Sequence, residues 1–180
     1  MDIYDVIRTR RSVRAYRPDP IPEEVLTRVL DAARVAPSAG NRQPTRLILV
    51  TDPEARQKLA EMCGDQGFIG EAPIVVVACG RGANLRSPAA KPHYKTIVDA
   101  TLVLDHLTLA ARAEGLGTCW IGVLGEKANE KVMDFLGVPE DTEVVGITPL
   151  GYPKDDAFKE PGSRISREEF VRWERWGWDG

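Results

Sequence analysis

The sequence predicts an α+β fold in which helices surround one central mixed β-sheet. Three observations support this class: helical periodicity occupies most of the chain, a few runs of β-branched residues are typical of strands, and helices and strands follow one another in mixed order. With 180 residues and 43% hydrophobic content, the chain is long enough to bury one full hydrophobic core and short enough to form one domain. We therefore expect a single domain spanning residues 1–180.

The N-terminal third predicts three helices and one strand. Apolar residues at helical spacing predict a short helix in "MDIYDVIRTR", and Pro22 precedes a second helix, "EEVLTRVLDAARVA", that ends before Pro37. "RLILVT" has the composition of a strand. In "DPEARQKLAEMCG", Asp52 is suited to cap a helix and Pro53 to occupy its first position. The first strand is thus expected between two helices.

The middle of the chain contains the predicted core. "APIVVVACG" lacks polar alternation, as in a fully buried strand. The segment from Gly80 to Tyr94 has no apolar period and is rich in turn-forming residues, so we expect a loop that covers a substrate site. From Thr96 to Gly115, apolar residues occupy most faces, which predicts a long helix buried in the core or in a subunit interface.

The C-terminal third predicts two more helices and a strand. "TCWIGVL" is expected to form a short strand or turn, "EKANEKVMDFLG" a helix, and "EVVGITPLGYP" a strand. "SREEFVRWERWGWDG" predicts a last helix. We assign its tryptophans to core or interface packing, preferably as an arm on a second subunit; they are Trp173, Trp176 and Trp178.

Composition disfavours several classes of protein. The formal charge of −3 argues against a surface that binds nucleic acid as a whole. The odd number of cysteines and the lack of a C-x-x-C pair predict free thiols and a reducing compartment. Two histidines are too few for a structural zinc site, so no metal is expected. Without a spanning apolar run or a signal-peptide pattern, we expect a cytoplasmic protein with no membrane partner.

The stretch "RTRRSVRAYRPDPIP" concentrates five arginines around Ser12. Guanidinium groups together with a hydroxyl and free backbone N–H groups are suited to bind phosphate, because charged donors make strong bidentate contacts. Exposed arginines are also common on surfaces that only contact solvent. On a body of near-neutral charge, the cluster is either a local anion site or a solvated patch.

Standard nucleotide and hydrolase motifs are incomplete. Val123 and Leu124 stand where a P-loop beginning at Gly117 requires Lys and Ser or Thr. Trp120 replaces the last glycine of a dinucleotide-binding fingerprint, and Ala36 replaces the first glycine of a nucleophile elbow. The chain therefore lacks these three signatures.

Four segments remain: "RRSVRAY", "PSAGNRQP", "GLGTCWIG" and "GYPKDDAFKEPGSR". Together they resemble the flavin-dependent nitroreductase family, in the family's order and over nearly the whole chain. The resemblance implies a nitroreductase-like fold and a domain-swapped homodimer that binds FMN at its interface. It also implies that NADH or NADPH reduces FMN and that a nitroaromatic, a quinone or another electrophilic acceptor then takes the hydride, in ping-pong order.

The resemblance assigns roles to residues 8–17, hereafter the arginine segment. Arg10 and Ser12, with Arg11 adjoining, are expected to bind the FMN phosphate and ribityl region. Arg14 is expected near the pyrimidine edge, where a fixed cation stabilises the negative charge that two-electron reduction builds. No side chain is required as a nucleophile, because the flavin itself performs hydride transfer.

The resemblance also assigns roles in flavin binding to the other three segments. The partner subunit is expected to supply a turn that faces the flavin, made of Pro37, Ser38, Ala39 and Asn41, with Gln43 supporting it. The backbone of a second segment is expected to approach the flavin N5, through Trp120, Ile121 and Gly122. Arg164 is expected to close on the phosphate, with Lys159 as the substitute.

Simpler interpretations stay open for these residues. "PSAGNRQP" is also typical of a polar turn after a helix, and "GLGTCWIG" of a core turn with a glycine cap. His106, in the long helix, is expected to be a core residue rather than a base. Thr45 stands where many relatives have Trp, so the packing beneath the turn is expected to differ from theirs.

Two other functions fit the same sequence. The flavin site could serve a dedicated biosynthetic or dehalogenating reaction. Alternatively, the arginine patch could bind anions or nucleic acid without catalysis, which the near-neutral body disfavours. The sequence assigns neither the physiological acceptor nor a preference for NADH or NADPH.

Overall fold

The structure is a computed structural model that describes residues 1–82, 94–123 and 126–177. Its five-stranded sheet has the order β1-β2-β5-β3, and the short β4 also pairs with β5. Every strand pair in these ranges is antiparallel, and the parallel contact described is an isolated bridge between Ser12 and Thr118. The strands are β1 Thr45–Val50, β2 Ile74–Arg81, β3 Gly117–Thr118, β4 Ile121–Gly122 and β5 Thr142–Gly151.

The helices begin and end at the signals that the sequence carries. Asp2 and Asp52 accept hydrogen bonds from backbone N–H groups of the first turns of α1 and α3, at 2.7 and 2.8 Å. Gly115, with φ +76°, follows the end of α5. The helices are α1 Ile3–Thr9, α2 Glu23–Arg34, α3 Pro53–Met62, α4 Phe68–Glu71, α5 Tyr94–Ala113, α6 Glu126–Leu136 and α7 Arg167–Phe170.

Helices cover both faces of the sheet. On one face, Val77 of β2 belongs to a core cluster that includes Leu59 of α3 and Met133 of α6. On the other face, Val76 belongs to a cluster that includes Leu107 of α5. Residues 74–80 are buried, as expected for a strand enclosed by two apolar layers. The predicted α+β class is confirmed.

Three features differ from the sequence prediction. The strand pairs that the structure describes are all antiparallel, whereas a mixed sheet was expected. The last helix is much shorter than predicted, because only α7, Arg167–Phe170, is helical in the tail. Trp173 and Trp176 lie beyond it and are exposed, so the tail packs no apolar face that would stabilise a longer helix. The short α4 was not predicted. Trp178 and most of the predicted loop lie outside the described residues.

Among the helices that the structure describes, each is either too short or too polar to span a bilayer.

Candidate functional site

The segment "RRSVRAY" is fixed against the edge of the sheet by backbone contacts. Ser12 bridges Thr118 of β3, and the Val13 N–H donates to the Thr118 carbonyl at 2.9 Å. At the other end, Tyr16 bridges Pro153, and its buried hydroxyl donates to the Val13 carbonyl at 2.7 Å. Burial also raises the pKa of the Tyr16 phenol, which keeps the hydroxyl a donor. Three of the four predicted site segments therefore meet within one chain.

An open cleft of about 580 Å³ lies along this segment. Residues 11–15 form one wall, and residues from Asp155 to Glu160 form the other. The volume lies within the range of about 300–1,000 Å³ that is usual for small-molecule sites. Its lining carries three basic and three acidic side chains, without the excess of positive charge that the polyanionic backbone of a nucleic acid requires.

The arginines of the segment differ in their partners. One Arg11 nitrogen, Nη1, donates to the carbonyls of Arg8 and Arg10 at the end of α1, and its Nη2 is buried without a hydrogen-bond partner. Arg8 pairs with Asp5 and Glu160. In the described ranges, neither Arg10 nor Arg14 has an ion-pair partner. Arg11 therefore stabilises the end of α1, whereas Arg10 and Arg14 keep guanidinium donors for a ligand.

The connection between β3 and β4 carries the predicted backbone contact to a flavin. Trp120 is 38% exposed, and its indole lies over Gly146 of β5, where an added Cβ would be 3.1 Å from Nε1. Ile121 is buried in the core. An added Cβ at Gly122 would meet no atom of the described residues within 4 Å, so the backbone faces open space in that part of the chain. A ligand can therefore approach the Gly122 backbone without displacing a side chain.

Cys119 lies in the same connection and is buried beside the Ser12 hydroxyl. Burial raises the pKa of its thiol, and the positive charges of Arg14 and Arg10 oppose that effect. The thiol is therefore expected to stay protonated and to act as packing against Ser12.

The fourth segment, residues 38–43, forms a turn between α2 and β1 and is hereafter the 38–43 turn. The Ala39 N–H donates to Asp99 Oδ1 at 2.9 Å, and the Gln43 N–H donates to Ser38 Oγ at 2.9 Å. The Gln43 amide also donates to Asn41 Oδ1 at 3.1 Å. Within the described chain, the turn makes no hydrogen bond to the arginine segment. Pro37, Asn41 and Gln43 are exposed, as expected of groups that serve a second subunit.

The remaining predicted residues lie apart from these contacts. Arg164 is exposed, and its guanidinium donates to the carbonyls of Gly162 and Ser163 in its own loop. Lys159 lines the cleft instead. His106 is partly buried in a separate apolar groove formed by α1, α2 and α5, so its predicted packing role is more plausible than a role as a base.

Sequence reasoning missed three residues that shape the site. Thr118 and Tyr16 fix the arginine segment through contacts that join residues distant in sequence. Asp99 contacts the 38–43 turn from α5 and is 3% exposed. The signal that could have found Asp99 is a single carboxylate at the centre of the apolar run "TIVDATLVL".

The fold and the cleft define an α+β protein with a small-molecule site at a sheet edge, lined by side chains of both charges. The sequence profile of the Nitroreductase family matches residues 7–81 and 62–152. The chain belongs to the Nitroreductase family.

Individual relatives agree with this assignment. A protein of Archaeoglobus fulgidus, provisionally named an NADH dehydrogenase/NAD(P)H nitroreductase, is 34% identical over 173 residues, covering 95% of this chain and 97% of that protein. The 5,6-dimethylbenzimidazole synthase of Rhodobacter capsulatus is 32% identical over 179 residues, covering 83% of each chain. The solved structure of NADPH:FMN oxidoreductase from Vibrio harveyi complexed with NAD⁺ is 26% identical with a TM-score of 0.84, covering 97% of this chain and 77% of that one.

Proposed function

We propose that the protein is an FMN-dependent NAD(P)H oxidoreductase that reduces electrophilic small molecules. The observation that carries the proposal is the backbone join between Ser12 and Thr118. It brings the unpaired guanidinium groups of the arginine segment to the same sheet edge as the open backbone of Gly122. Membership of the Nitroreductase family supports the same conclusion.

The donors at the cleft fit FMN. Its phosphate needs several charged or hydroxyl donors; Ser12 lines the cleft, and Arg10 lies two residues before it with no ion-pair partner in the described ranges. Arg11 adjoins them and lines the same cleft, with its Nη1 bonded to carbonyls at the end of α1. When bound, FMN supplies two-electron hydride chemistry, with NADH or NADPH as donor and the acceptor following in ping-pong order.

The chain's own residues bind and tune the cofactor. Arg14, without a carboxylate partner, supplies a positive charge that stabilises anionic character at the pyrimidine edge of a flavin. The backbone from Trp120 to Gly122 orients the reacting face, and the partly exposed Trp120 indole excludes water from one side. Lys159 and Arg164 are the two candidates for closing on the phosphate.

We propose that the active protein is a homodimer in which the 38–43 turn completes the site of the partner. Two features support this arrangement: the turn is exposed, and its hydrogen bonds leave the arginine segment of its own chain without contact. The tail also exposes large apolar groups that a second copy would cover, namely Ile165, Phe170, Trp173 and Trp176.

Nitroaromatics and quinones are the proposed acceptors. They are planar electrophiles, and an open cleft of about 580 Å³ can admit acceptors of different shape. We place the enzyme in the cytoplasm, because Cys63, Cys79 and Cys119 are all free thiols.

A second candidate function is a dedicated biosynthetic reaction. The relative from Rhodobacter capsulatus, named 5,6-dimethylbenzimidazole synthase, shares 32% identity over 83% of this chain. If this chain has that activity, incubation of the flavin-loaded enzyme with reductant in air should produce dimethylbenzimidazole, detected by chromatography and mass spectrometry. Fast turnover of nitroaromatics and quinones without that product would favour the general reductase.

The first test is an absorption spectrum of the purified protein with FMN, followed by anaerobic addition of NADH and NADPH in separate cuvettes. The proposal predicts flavin bands that co-elute with the protein and bleach with at least one nicotinamide. The faster donor identifies the physiological reductant. Protein that binds no FMN would overturn the proposal.

A further inference from the structure

The 38–43 turn adopts a conformation that its sequence alone does not favour. Gly40, Asn41 and Gln43 have φ of +59°, +55° and +50°. Glycine adopts this left-handed region freely and asparagine tolerates it, but glutamine does so rarely. Three such residues among four positions require contacts from outside the turn to hold them, since the backbone gains nothing from the conformation itself.

Asp99 supplies a contact from a helix that is distant in sequence. Its Oδ1 accepts the Ala39 N–H at 2.9 Å across 60 residues of sequence. The other hydrogen bonds described for the 38–43 turn come from residues within it, such as the Ser38 hydroxyl that accepts the Gln43 N–H, and from Arg46 of the adjoining β1, whose guanidinium donates to the Gln43 carbonyl at 2.9 Å. Asp99 is therefore the point where the turn is fastened to α5.

The environment of Asp99 is unusual for a carboxylate that serves packing alone. The side chain is 3% exposed, and its Oδ2 is buried without a hydrogen-bond partner. Its neighbour Ala100 and the next turns of the helix, with Leu104 and Leu107, are apolar and buried. A buried carboxyl group with one oxygen unused is costly, so an apolar residue would suit the helix better. The visible use of the carboxylate is to hold Ala39.

The same helix also touches the other half of the site. Leu104 packs at Gly146, where an added Cβ would meet both Leu104 and Trp120 at 3.1 Å. A rigid helix therefore fixes the 38–43 turn at Asp99 and supports the Trp120 segment just over one turn later. Loss of either contact would change the position of the 38–43 turn relative to the Trp120 segment.

We propose that Asp99 is a positioning residue: it holds the 38–43 turn in the left-handed conformation that presents Ser38 and Asn41 to bound flavin. The inference rests on the proposed function, in which this turn contacts the flavin of the partner subunit. Asp99 acts through Ala39 and does not itself touch the ligand.

The test compares Asp99→Ala with Asp99→Asn in the full-length protein. Asparagine keeps the size of the side chain and an oxygen that can accept the Ala39 N–H, whereas alanine removes the acceptor. Asp105→Ala is the matched control, because Asp105 is an exposed carboxylate on the same helix. Three quantities are measured: the FMN dissociation constant by flavin fluorescence, the thermal midpoint, and amide hydrogen exchange at Ala39 in flavin-free protein.

Asp99→Ala should weaken FMN binding about tenfold and accelerate exchange at Ala39 about tenfold, as expected for loss of a hydrogen bond to a charged acceptor. For Asp99→Asn, the FMN dissociation constant and the Ala39 exchange rate should both stay within about threefold of the wild-type values, since a neutral acceptor is only modestly weaker. Asp105→Ala should change neither quantity. The rescue by asparagine distinguishes positioning from a general loss of stability.

Two results would overturn the inference: asparagine as damaging as alanine, or unchanged Ala39 exchange in Asp99→Ala. If Asp99→Ala does not fold, Asp99→Ser replaces it with the same expectation, because serine is too short to reach Ala39. Wild-type protein that binds no FMN would defeat the proposed function instead. The exchange measurement, which needs no flavin, would still decide whether Asp99 holds the turn.

Discussion

The arginine segment and the 38–43 turn are built by different means. Backbone bridges at Ser12 and Tyr16 fix the first to the sheet edge and to the chain after β5. The second has short-range backbone hydrogen bonds of its own, but its link to α5 and its closure at Gln43 depend on side chains, namely Asp99 and Ser38. A segment fixed by backbone pairing keeps its course when its side chains change. A turn fixed by side chains depends on each of them.

The two regions also differ in completeness. The arginine segment has its cleft within its own chain, whereas the 38–43 turn exposes Asn41 and Gln43 without contact to that cleft. We infer that one chain supplies the phosphate side of a site and that a second copy supplies the other side. The following predictions test the two halves separately.

The largest expected effect is from Gly117→Ala, which acts on the backbone join. An added Cβ would lie 2.7 Å from Val13 Cγ2 and 2.8 Å from Val13 Cβ, and valine cannot rotate away easily. The residues next to the bridge should be displaced, with about a hundredfold weaker FMN binding and an unfolding free energy lower by about 1–3 kcal/mol. Flavin fluorescence and urea unfolding measure both.

The control is Gly67→Ala, where an added Cβ meets no atom within 4 Å. This variant should match the wild type in flavin affinity. Normal FMN binding by Gly117→Ala would show that the join between Val13 and β3 is not needed for the site.

The next largest effect is from Arg10→Ala, which tests phosphate recognition without disturbing the backbone. Loss of a charged donor to the phosphate should weaken FMN binding about tenfold to a hundredfold. Affinity for riboflavin, which has no phosphate, should stay unchanged. Titration of both flavins at two salt concentrations measures the difference.

Arg17→Ala is the matched control in the same segment, because Arg17 already pairs with Asp19 at 3.5 Å and stacks on Tyr152. It should alter neither affinity. Equal losses for FMN and riboflavin in Arg10→Ala would place Arg10 elsewhere than at the phosphate.

A smaller effect is expected from mixing two defective chains. Arg10→Ala and Asn41→Ala should each weaken both sites of a homodimer, but a heterodimer of the two should contain one intact site. After denaturation and refolding of a 1:1 mixture, half of the dimers are heterodimers, so about a quarter of all sites should regain wild-type affinity.

Flavin titration of the mixture counts the restored sites, and each variant refolded alone is the reference. No recovery in the mixture would mean that both residues serve the same chain's site or that no shared site exists.

The smallest effect concerns Glu143 of β5, which belongs to neither region. It is 3% exposed, its Oε1 has no hydrogen-bond partner among the residues that the structure describes, and burial raises the pKa of its carboxyl. A pKa raised by folding favours the folded protein below the unfolded pKa of about 4.3, and this contribution is lost as the pH rises through the folded value. Glu143→Gln should therefore add about 1 kcal/mol to the unfolding free energy at pH 7.5 and nearly nothing at pH 4.

Urea unfolding at the two pH values measures this difference. Flavin affinity should be unchanged, which makes the variant a reference for stability without a site effect. A less stable Glu143→Gln at pH 7.5 would show that the carboxylate has a partner there.

Local signals allowed most of the fold to be predicted. The caps at Asp52 and Gly115 and the apolar run of β2 act over a few residues, so they can be read without tertiary information. The predicted last helix was wrong beyond Phe170, because its tryptophans have no surface in the chain to pack against. The four-residue α4 spans about one helical turn, so its sequence shows no apolar periodicity from which a helix could be predicted.

The candidate site was predicted in part. The four segments identified the family, and the comparisons confirm it. The roles of single residues, such as Arg14 and Gly122, stay predictions. The contacts that assemble the site could not be read from the sequence, because Ser12 with Thr118 and Ala39 with Asp99 are separated by many residues and leave no local pattern.

The central position of β5 has a consequence for synthesis on the ribosome. This strand pairs with β2, β3 and β4, yet it is the last strand to be translated. Until residue 151 has left the exit tunnel, β2 has only β1 as a neighbour, and its buried apolar edge stays open to other chains. The nascent protein therefore exposes this edge from the synthesis of β2 until β5 can pair with it.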